Sequence, residues 1–431
     1  MKKKNNRPWG VFVAIFLAII FGNLVGKDGV IFGISFYSIF DTLGIIFLNA
    51  LTLVVVPLVS SSIITGVARM GNEGDFGRLG AKTFAFYLST SLLAIMIGLF
   101  FVNVINPGRS FVGSDRLILP VEFAGMESQL ASHDGSAVVN VLMQIVPSNI
   151  IDAFSKGQML GLIFFCLLFG FAISKIEKGP SEVLQGFFQG IFQAMIRITH
   201  IIMRFLPYGV FCLIAKVFMT TGNSSLPSMA LFTLTVLLGL GVFMFVALPL
   251  MLKLVGRINP IWHIKAMSPA LITAFSTSSS SATLPITIEC VEKRAGVSNR
   301  ICSLVVPLGT SINMSGSALY ECVAAMFIAQ AYGIELTITK QFLLVLMSLI
   351  TSIGVAGIPS ASIIAILVIL KVIGLPAEGI GLFLAVDRLL DMCRTTVNVF
   401  SDSCCAVLVA KSEGEKNVLA VDPSTLEDAD A

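Results

Sequence analysis

Asp387-Arg388-Leu389-Leu390-Asp391-Met392-Cys393-Arg394-Thr395-Thr396-Val397-Asn398-Val399-Phe400-Ser401-Asp402 decides how this chain folds. Asp387, Asp391, Arg394, Asn398 and Asp402 follow an i, i+4, i+7, i+11, i+15 spacing. At helical pitch they fall on one face, within a stripe about 80° wide. Most of the rest is apolar, and Val407 and Leu408 extend the apolar character beyond it. An ionisable side chain at mid-membrane costs about 2.5–3.5 kcal/mol, so four left unpaired would cost on the order of 10 kcal/mol. A helix end lying in water accounts for Asp387 or Asp402 singly, but not for five polar groups on one face. Three aspartates and one arginine leave this face with a net negative charge, which a buried cavity balances with cations or protons. The planar guanidinium suits a carboxylate. The stripe therefore predicts a buried site for a carboxylate-bearing substrate, with aspartate-based cation sites beside it.

The remainder of the chain supplies the membrane. Of 431 residues, 56% are hydrophobic and only 12% charged, about half the charge of an ordinary soluble chain. Apolar runs cover residues 9–25, 48–67, 84–104, 160–173, 231–252, 343–350 and 363–373. Runs of roughly 20 apolar residues cross a ~30 Å hydrocarbon layer as helices, and the alternation of a β-barrel is absent. The fold class expected is an all-α integral membrane protein. The first span has no small-residue cleavage site and is read as retained. The eight cysteines lack metal-ligand spacing, and His133, His200 and His263 form no cluster. A net charge of +3 does not suggest nucleic acid.

Basic residues set the orientation. Lys2, Lys3, Lys4 and Arg7 place the N-terminus in the cytoplasm by the positive-inside rule. Arg69, Arg78 and Lys82, then Lys175 and Lys178, then Lys253, Arg257 and Lys265 mark the following cytoplasmic loops. The loops near Lys27 and Thr220 are poor in basic residues and lie outside, as does the long polar connection 106–147. The C-terminal tail is expected inside.

The last third departs from simple spanning helices. Residues 260–294 have about the length of two half-spans around Ser276-Thr277-Ser278-Ser279-Ser280-Ser281. Residues 342–373 repeat the pattern around Gly354-Val355-Ala356-Gly357-Ile358-Pro359-Ser360-Ala361-Ser362. Both read as re-entrant hairpins, whose irregular tips survive at membrane depth only where they line protein or a wet cavity. A flexible linker would stay polar, yet Leu271, Ile272, Phe275, Leu284 and Ile286 flank the serine run. Helices over 302–329 and 378–410 follow the two hairpins, which makes two hairpin-plus-helix repeats, inverted if their tips enter from opposite sides. The first of these helices contains Asn313-Met314-Ser315-Gly316-Ser317, which favours a break and exposes carbonyls suited to a bare alkali cation. Glu321 lies on nearly the same face as Asn313. It either carries a proton or pairs with a neighbouring base.

At these motifs the chain resembles the dicarboxylate/amino acid:cation symporters, the family of bacterial glutamate carriers, archaeal aspartate transporters and animal excitatory amino acid transporters. The resemblance rests on Ser278-Ser279-Ser280-Ser281 with Ala282-Thr283-Leu284-Pro285, on Asn313-Met314-Ser315-Gly316-Ser317, on Gly357-Ile358-Pro359, and on Asp391-Met392-Cys393-Arg394-Thr395 with Asn398 and Asp402. Asn106-Pro107-Gly108 and Ile145-Val146-Pro147 match as well. It implies eight transmembrane helices, two re-entrant hairpins, inverted repeats, a homotrimer in the cell (inner) membrane, and an elevator movement. Residues 1–259 would then be mainly scaffold, with span 3 joining the transport domain. Residues 260–411 would form the transport core and 412–431 a cytoplasmic tail. The resemblance implies that Arg394 holds a side-chain carboxylate and Asp391 an amino group. Ser278, Ser280, Ser317, Thr395 and Asn398 would meet the main-chain atoms. Gly357, Ile358 and Ser362 would belong to the outer gate. Sodium would take Gly309, Asn313, Asn398 and Asp402 at one site and Ser311, Ser352, Ile353 and Val355 at another. A third site would use Tyr87, Thr90, Ser91 and Asn313, with Ser315 where the family usually has aspartate. The second arginine common in the family, at the place of Ser278 or Met392, is absent, although Arg388 is close by.

The function expected is uptake of glutamate or aspartate by symport with sodium, protons or both, with no other cofactor and no enzymatic activity. A C4-dicarboxylate or neutral amino acid symporter of the same fold is the nearest alternative. An ion channel is disfavoured by the paired Asp391 and Arg394. An intramembrane hydrolase using the serine run lacks a histidine in either hairpin unit, His263 standing only where the first begins.

Overall fold

The structure is a computed structural model that describes residues 9–26, 29–31, 34–70, 76–110, 146–156, 159–221, 225–354, 362–416 and 418–419. The first half runs α1 (Trp9–Val25), a two-residue-per-strand hairpin of β1 (Val30–Ile31) and β2 (Ile34–Ser35), α2 (Phe36–Met70), α3 (Phe76–Ile105), α4 (Ile150–Lys156), α5 (Met159–Ile173), α6 (Lys178–Ile202), α7 (Leu206–Thr221), α8 (Ser225–Val242) and α9 (Leu248–Leu254). A π-helical turn, Phe243–Ala247, joins α8 to α9. Among the described residues five helical stretches are long and apolar enough to cross a membrane by length and composition.

The second half begins with α10 (Pro260–Thr277), capped by Asn259, whose side chain accepts from the Ile261 N–H, and carrying Pro260 at its first turn. It ends where Ser278 takes a left-handed conformation, φ 50°. Ser279 then caps α11 (Ser280–Glu289), accepting from the Ala282 N–H. The serine run is thus a tight reversal between two helices. α10 has 18 residues, so this arm is longer than the half-span expected. The expected helix 302–329 is split into α12 (Asn299–Ile312) and α13 (Ser315–Ala331). Asn313 (φ −100°, ψ 64°) and Met314 (φ −92°, ψ 55°) leave the helical region between them. α14 (Ile338–Gly354) and α15 (Ser362–Ile373) form the arms of the second hairpin. Its central residues Val355, Gly357 and Ile358 lie outside the described residues. A 3-10 turn, Ala377–Leu382, leads into α16 (Leu384–Ser412).

Packing sorts these helices into two groups. α1, α2, α5, α6 and α7 pack on one another, while α3 and α8 pack against α13 and α16. α10, α11, α12 and α13 also pack against α16, so the polar stripe sits at the centre of the second group. α13 is buried along nearly its whole length. The arms α14 and α15 reach across to α2.

The chain after α16 folds back rather than trailing away. Glu415 accepts the Ser298 N–H at 3.1 Å and the Ser298 hydroxyl, which satisfies the start of α12. The Leu419 N–H bonds the Ala295 carbonyl at 2.9 Å, and Val418 and Leu419 are buried. Lys82 of α3 donates to the Ser412 carbonyl at 3.1 Å and pairs with Glu413. Glu413, Glu415 and Leu419 therefore tie α3, α12 and the end of the first hairpin to α16.

Candidate functional site

The five stripe residues are all buried, Arg394 with no exposed surface at all. Its Nη2 donates to Asp391 Oδ1 at 2.9 Å and to Asp387 Oδ1 at 3.1 Å. Its guanidinium carbon lies 3.8 Å from the centroid of the Tyr320 ring, and the Tyr320 hydroxyl donates to Asp387 Oδ1 at 2.9 Å. Tyr320 therefore grips Arg394 by its π face and through Asp387. Among the described residues Arg394 Nε and Nη1 have no hydrogen-bond partner. Buried donors without an acceptor are costly, and a carboxylate is the acceptor that a guanidinium favours. Arg388 Nη1 approaches Asp391 Oδ2 at 3.5 Å.

The break between α12 and α13 is held from α16. Asn398 Oδ1 accepts the Gly316 N–H at 2.8 Å and the Ser317 N–H at 3.4 Å, and its amide donates to the Ser317 hydroxyl at 3.2 Å. A side chain of another helix thus caps α13. Ser280, Ser317, Ser362 and Thr395 are buried as well. The Ser278 hydroxyl, at the tip of the first hairpin, is buried without a partner among the described residues.

One turn further along, Asp402 meets the break from the other side. Its Oδ1 accepts from Asn313 Nδ2 at 2.9 Å, and its Oδ2 is buried with no partner among the described residues. Gly309 is required here: a Cβ at this position would lie 2.6 Å from the Asp402 carboxylate. Gly309, Asn313 and Asp402 therefore come together. Asn398, one turn before Asp402 on α16, faces the start of α13. Asn313 Oδ1 accepts from Thr90 at 3.0 Å and from Ser315 at 2.9 Å, while Ser315 lies 3.2 Å from both Ser91 and Ser401. Tyr87 points elsewhere and donates to the Val305 carbonyl. Thr90, Ser91, Asn313 and Ser315 thus form a hydroxyl and amide cluster in which none of the four carries a charge. Ser311 and Ile353 line one cavity of about 680 Å³, shared with Thr65, Gly66 and Gln185. Ser352 is buried nearby on α14, its hydroxyl on the Leu349 carbonyl at 2.8 Å. Val355 lies outside the described residues.

Glu321 is fully buried on α13, and its Oε2 accepts from the Thr351 hydroxyl at 2.8 Å. Its Oε1 has no partner, and among the described residues no basic group forms an ion pair with it. Its neighbour is the second hairpin rather than a base. His263 is buried 3.0 Å from Ser403 and packs on Phe400, so it does not serve the serine run. Tyr320 and Thr351 were not singled out from sequence. Tyr320 sits three residues past Ser317, one turn along α13, which is the signal that could have found it.

A buried arginine–carboxylate pocket beside a broken helix, inside a bundle long and apolar enough for a membrane, defines a solute carrier. Residues 11–412 match the sodium:dicarboxylate symporter family, and the chain belongs to that family. It is 36% identical over 417 residues to a proton/sodium-glutamate symport protein of Geobacillus stearothermophilus, covering 96% of each chain. It is 34% identical over 416 residues to the proton/glutamate-aspartate symporter of Escherichia coli, covering 95% and 93%. It is 33% identical over 482 residues to excitatory amino acid transporter 3 of Mus musculus, covering 97% and 90%.

Proposed function

We propose that the protein takes up acidic amino acids, glutamate or aspartate, by symport with sodium, protons or both. The observation that carries this reading is Arg394: buried, oriented by Asp387 and Tyr320, and with two donors free for a carboxylate. Asp391 beside it supplies the acceptor for an ammonium group. The relatives' names, proton/sodium-glutamate and glutamate-aspartate symporters, support the same chemistry. Succinate offers two carboxylates but no ammonium, so it leaves Asp391 without its partner. In counterflow with labelled aspartate, succinate is expected to compete at least tenfold more weakly than aspartate. Equal competition would favour a plain dicarboxylate carrier.

Gly309, Asn313 and Asp402 with Asn398 form the sodium site of this reading, and Ser311, Ser352, Ile353 and Val355 a second. Glu321 carries a coupled proton. It links the broken helix to the second hairpin through Thr351, so its protonation is felt at the gate. Glu321→Gln is expected to flatten the pH dependence of net uptake while substrate exchange continues. Net uptake with an unaltered pH profile would make Glu321 a bystander.

The helices packed around α16, with α3 and α8 included, move as the transport core along α2 and α5, where the second hairpin lies. In this reading both termini face the cytoplasm, an orientation that the basic residues between spans support, and the bundle lies in the plasma membrane. A homotrimer is supported by α6. Gly186, Gly190 and Ala194 make a small-residue stripe at i, i+4, i+8 on an exposed face, and a Cβ added at either glycine meets nothing. Such stripes allow close helix approach in a bilayer. Gly190→Leu is expected to convert the oligomer to monomers on size exclusion with light scattering. An unchanged trimer would assign this face to lipid.

A further inference from the structure

Asp391 is shared by two guanidinium groups that hold it unequally. Arg394 meets Oδ1 at 2.9 Å, is buried, and is also fixed by Asp387 and Tyr320. Arg388 meets Oδ2 at 3.5 Å, and its side chain keeps 18% of its surface exposed. Charge-assisted hydrogen bonds of full strength are shorter, about 2.7–2.9 Å. Of these two guanidinium groups, Arg388 is the one an incoming cation can displace. We propose that Arg388 is a specificity-determining residue: it occupies Asp391 until the substrate's ammonium group displaces it, and then supplies the positive charge that a second carboxylate requires.

The charge count of the pocket supports the exchange. Asp387 and Asp391 balance Arg388 and Arg394 before binding. An α-amino dicarboxylate adds two anionic groups and one cationic group, so four negative charges face three positive ones. One co-transported cation closes the difference. Without Arg388 the same substrate would leave four against two. A zwitterionic amino acid adds one of each sign, so without Arg388 it leaves three against two, which one co-transported cation still closes. Arg388 therefore favours the acidic substrate over its neutral amide, and it also competes with the ammonium of both.

This inference rests on the proposed reading of Arg394 and Asp391 as the substrate pair, and its test separates the two. The affinities of aspartate and asparagine are measured by competition in proteoliposomes for the native protein, Arg388→Gln and Arg388→Lys. A unit charge several ångströms away at an effective dielectric near 20 changes binding by about tenfold or more. Arg388→Gln is expected to lower the aspartate-to-asparagine affinity ratio about tenfold and to strengthen asparagine binding in absolute value. Arg388→Lys, which keeps the charge, is expected to hold the ratio within about threefold of native. Equal changes for both substrates in Arg388→Gln would show a merely structural role and overturn the proposal. An unchanged ratio, or a ratio that falls as far in Arg388→Lys, would overturn it too. Loss of aspartate selectivity in an Arg394→Cys control is required by the reading beneath it. Its absence would sink that reading whatever Arg388 does.

Discussion

Arg394→Cys is expected to abolish glutamate and aspartate uptake, with at least a hundredfold loss of apparent affinity. The guanidinium is fully buried and is the hub of Asp387, Asp391 and Tyr320. Its removal deletes the donors that a substrate carboxylate would take. It also leaves Asp387 and Asp391 buried near each other without the guanidinium they share, Arg388 and the Tyr320 hydroxyl still beside them. Breaking a buried ion pair by removing one partner costs about 3–5 kcal/mol, and a hundredfold in affinity corresponds to about 2.7 kcal/mol. Small zwitterionic substrates lose less, because they need Asp391 and not a second positive charge. Uptake of acidic and neutral amino acids, normalised to correctly assembled protein, reads the effect. Glutamate and aspartate uptake at the native level would refute the assignment.

Much of this pocket was legible in the sequence because membrane depth makes polar residues expensive. The stripe from Asp387 to Asp402 announces a buried polar face and the Asn313–Ser317 motif a broken helix, and the structure has both. What holds these groups was less visible. Tyr320 reads as one more aromatic in an apolar helix, and nothing local says that its ring faces Arg394. Thr351 lies 30 residues from Glu321 and across a hairpin, so no helical spacing links them. The cap on α13 comes from Asn398, 82 positions from Gly316. Such partners are set by how helices cross, which a one-dimensional periodicity does not carry. The amphipathic α6 was hidden for a different reason. Its charged face is diluted by glycines and glutamines, and it runs into α7 through a short 3-10 turn without a polar loop.

The second large effect concerns the cation cluster at Ser315. Thr90, Ser91, Asn313 and Ser315 offer neutral oxygens only, and Asp402 reaches them through the Asn313 amide. The resemblance places an aspartate at position 315. A carboxylate ~4 Å from a monovalent cation contributes on the order of 4 kcal/mol of Coulomb attraction at an effective dielectric near 20. Desolvation offsets part of that, yet even half of it is more than tenfold in affinity. The native protein is therefore expected to couple fewer sodium ions per substrate than an aspartate-bearing variant. Ser315→Asp is expected to raise the number by one. The reversal potential of substrate flux under imposed sodium gradients and voltages gives the stoichiometry. Three sodium ions in the native protein, unaltered by Ser315→Asp, would show that the neutral cluster suffices.

The central claim is that the Arg394–Asp391 pocket moves an acidic amino acid together with a cation. Its most direct measurement is uptake of labelled aspartate and glutamate into proteoliposomes of the purified protein. Inward sodium or proton gradients are imposed together or singly. The account predicts accumulation above the external concentration that collapses when both gradients are dissipated. Uptake that only equilibrates, whatever gradient is imposed, would contradict it.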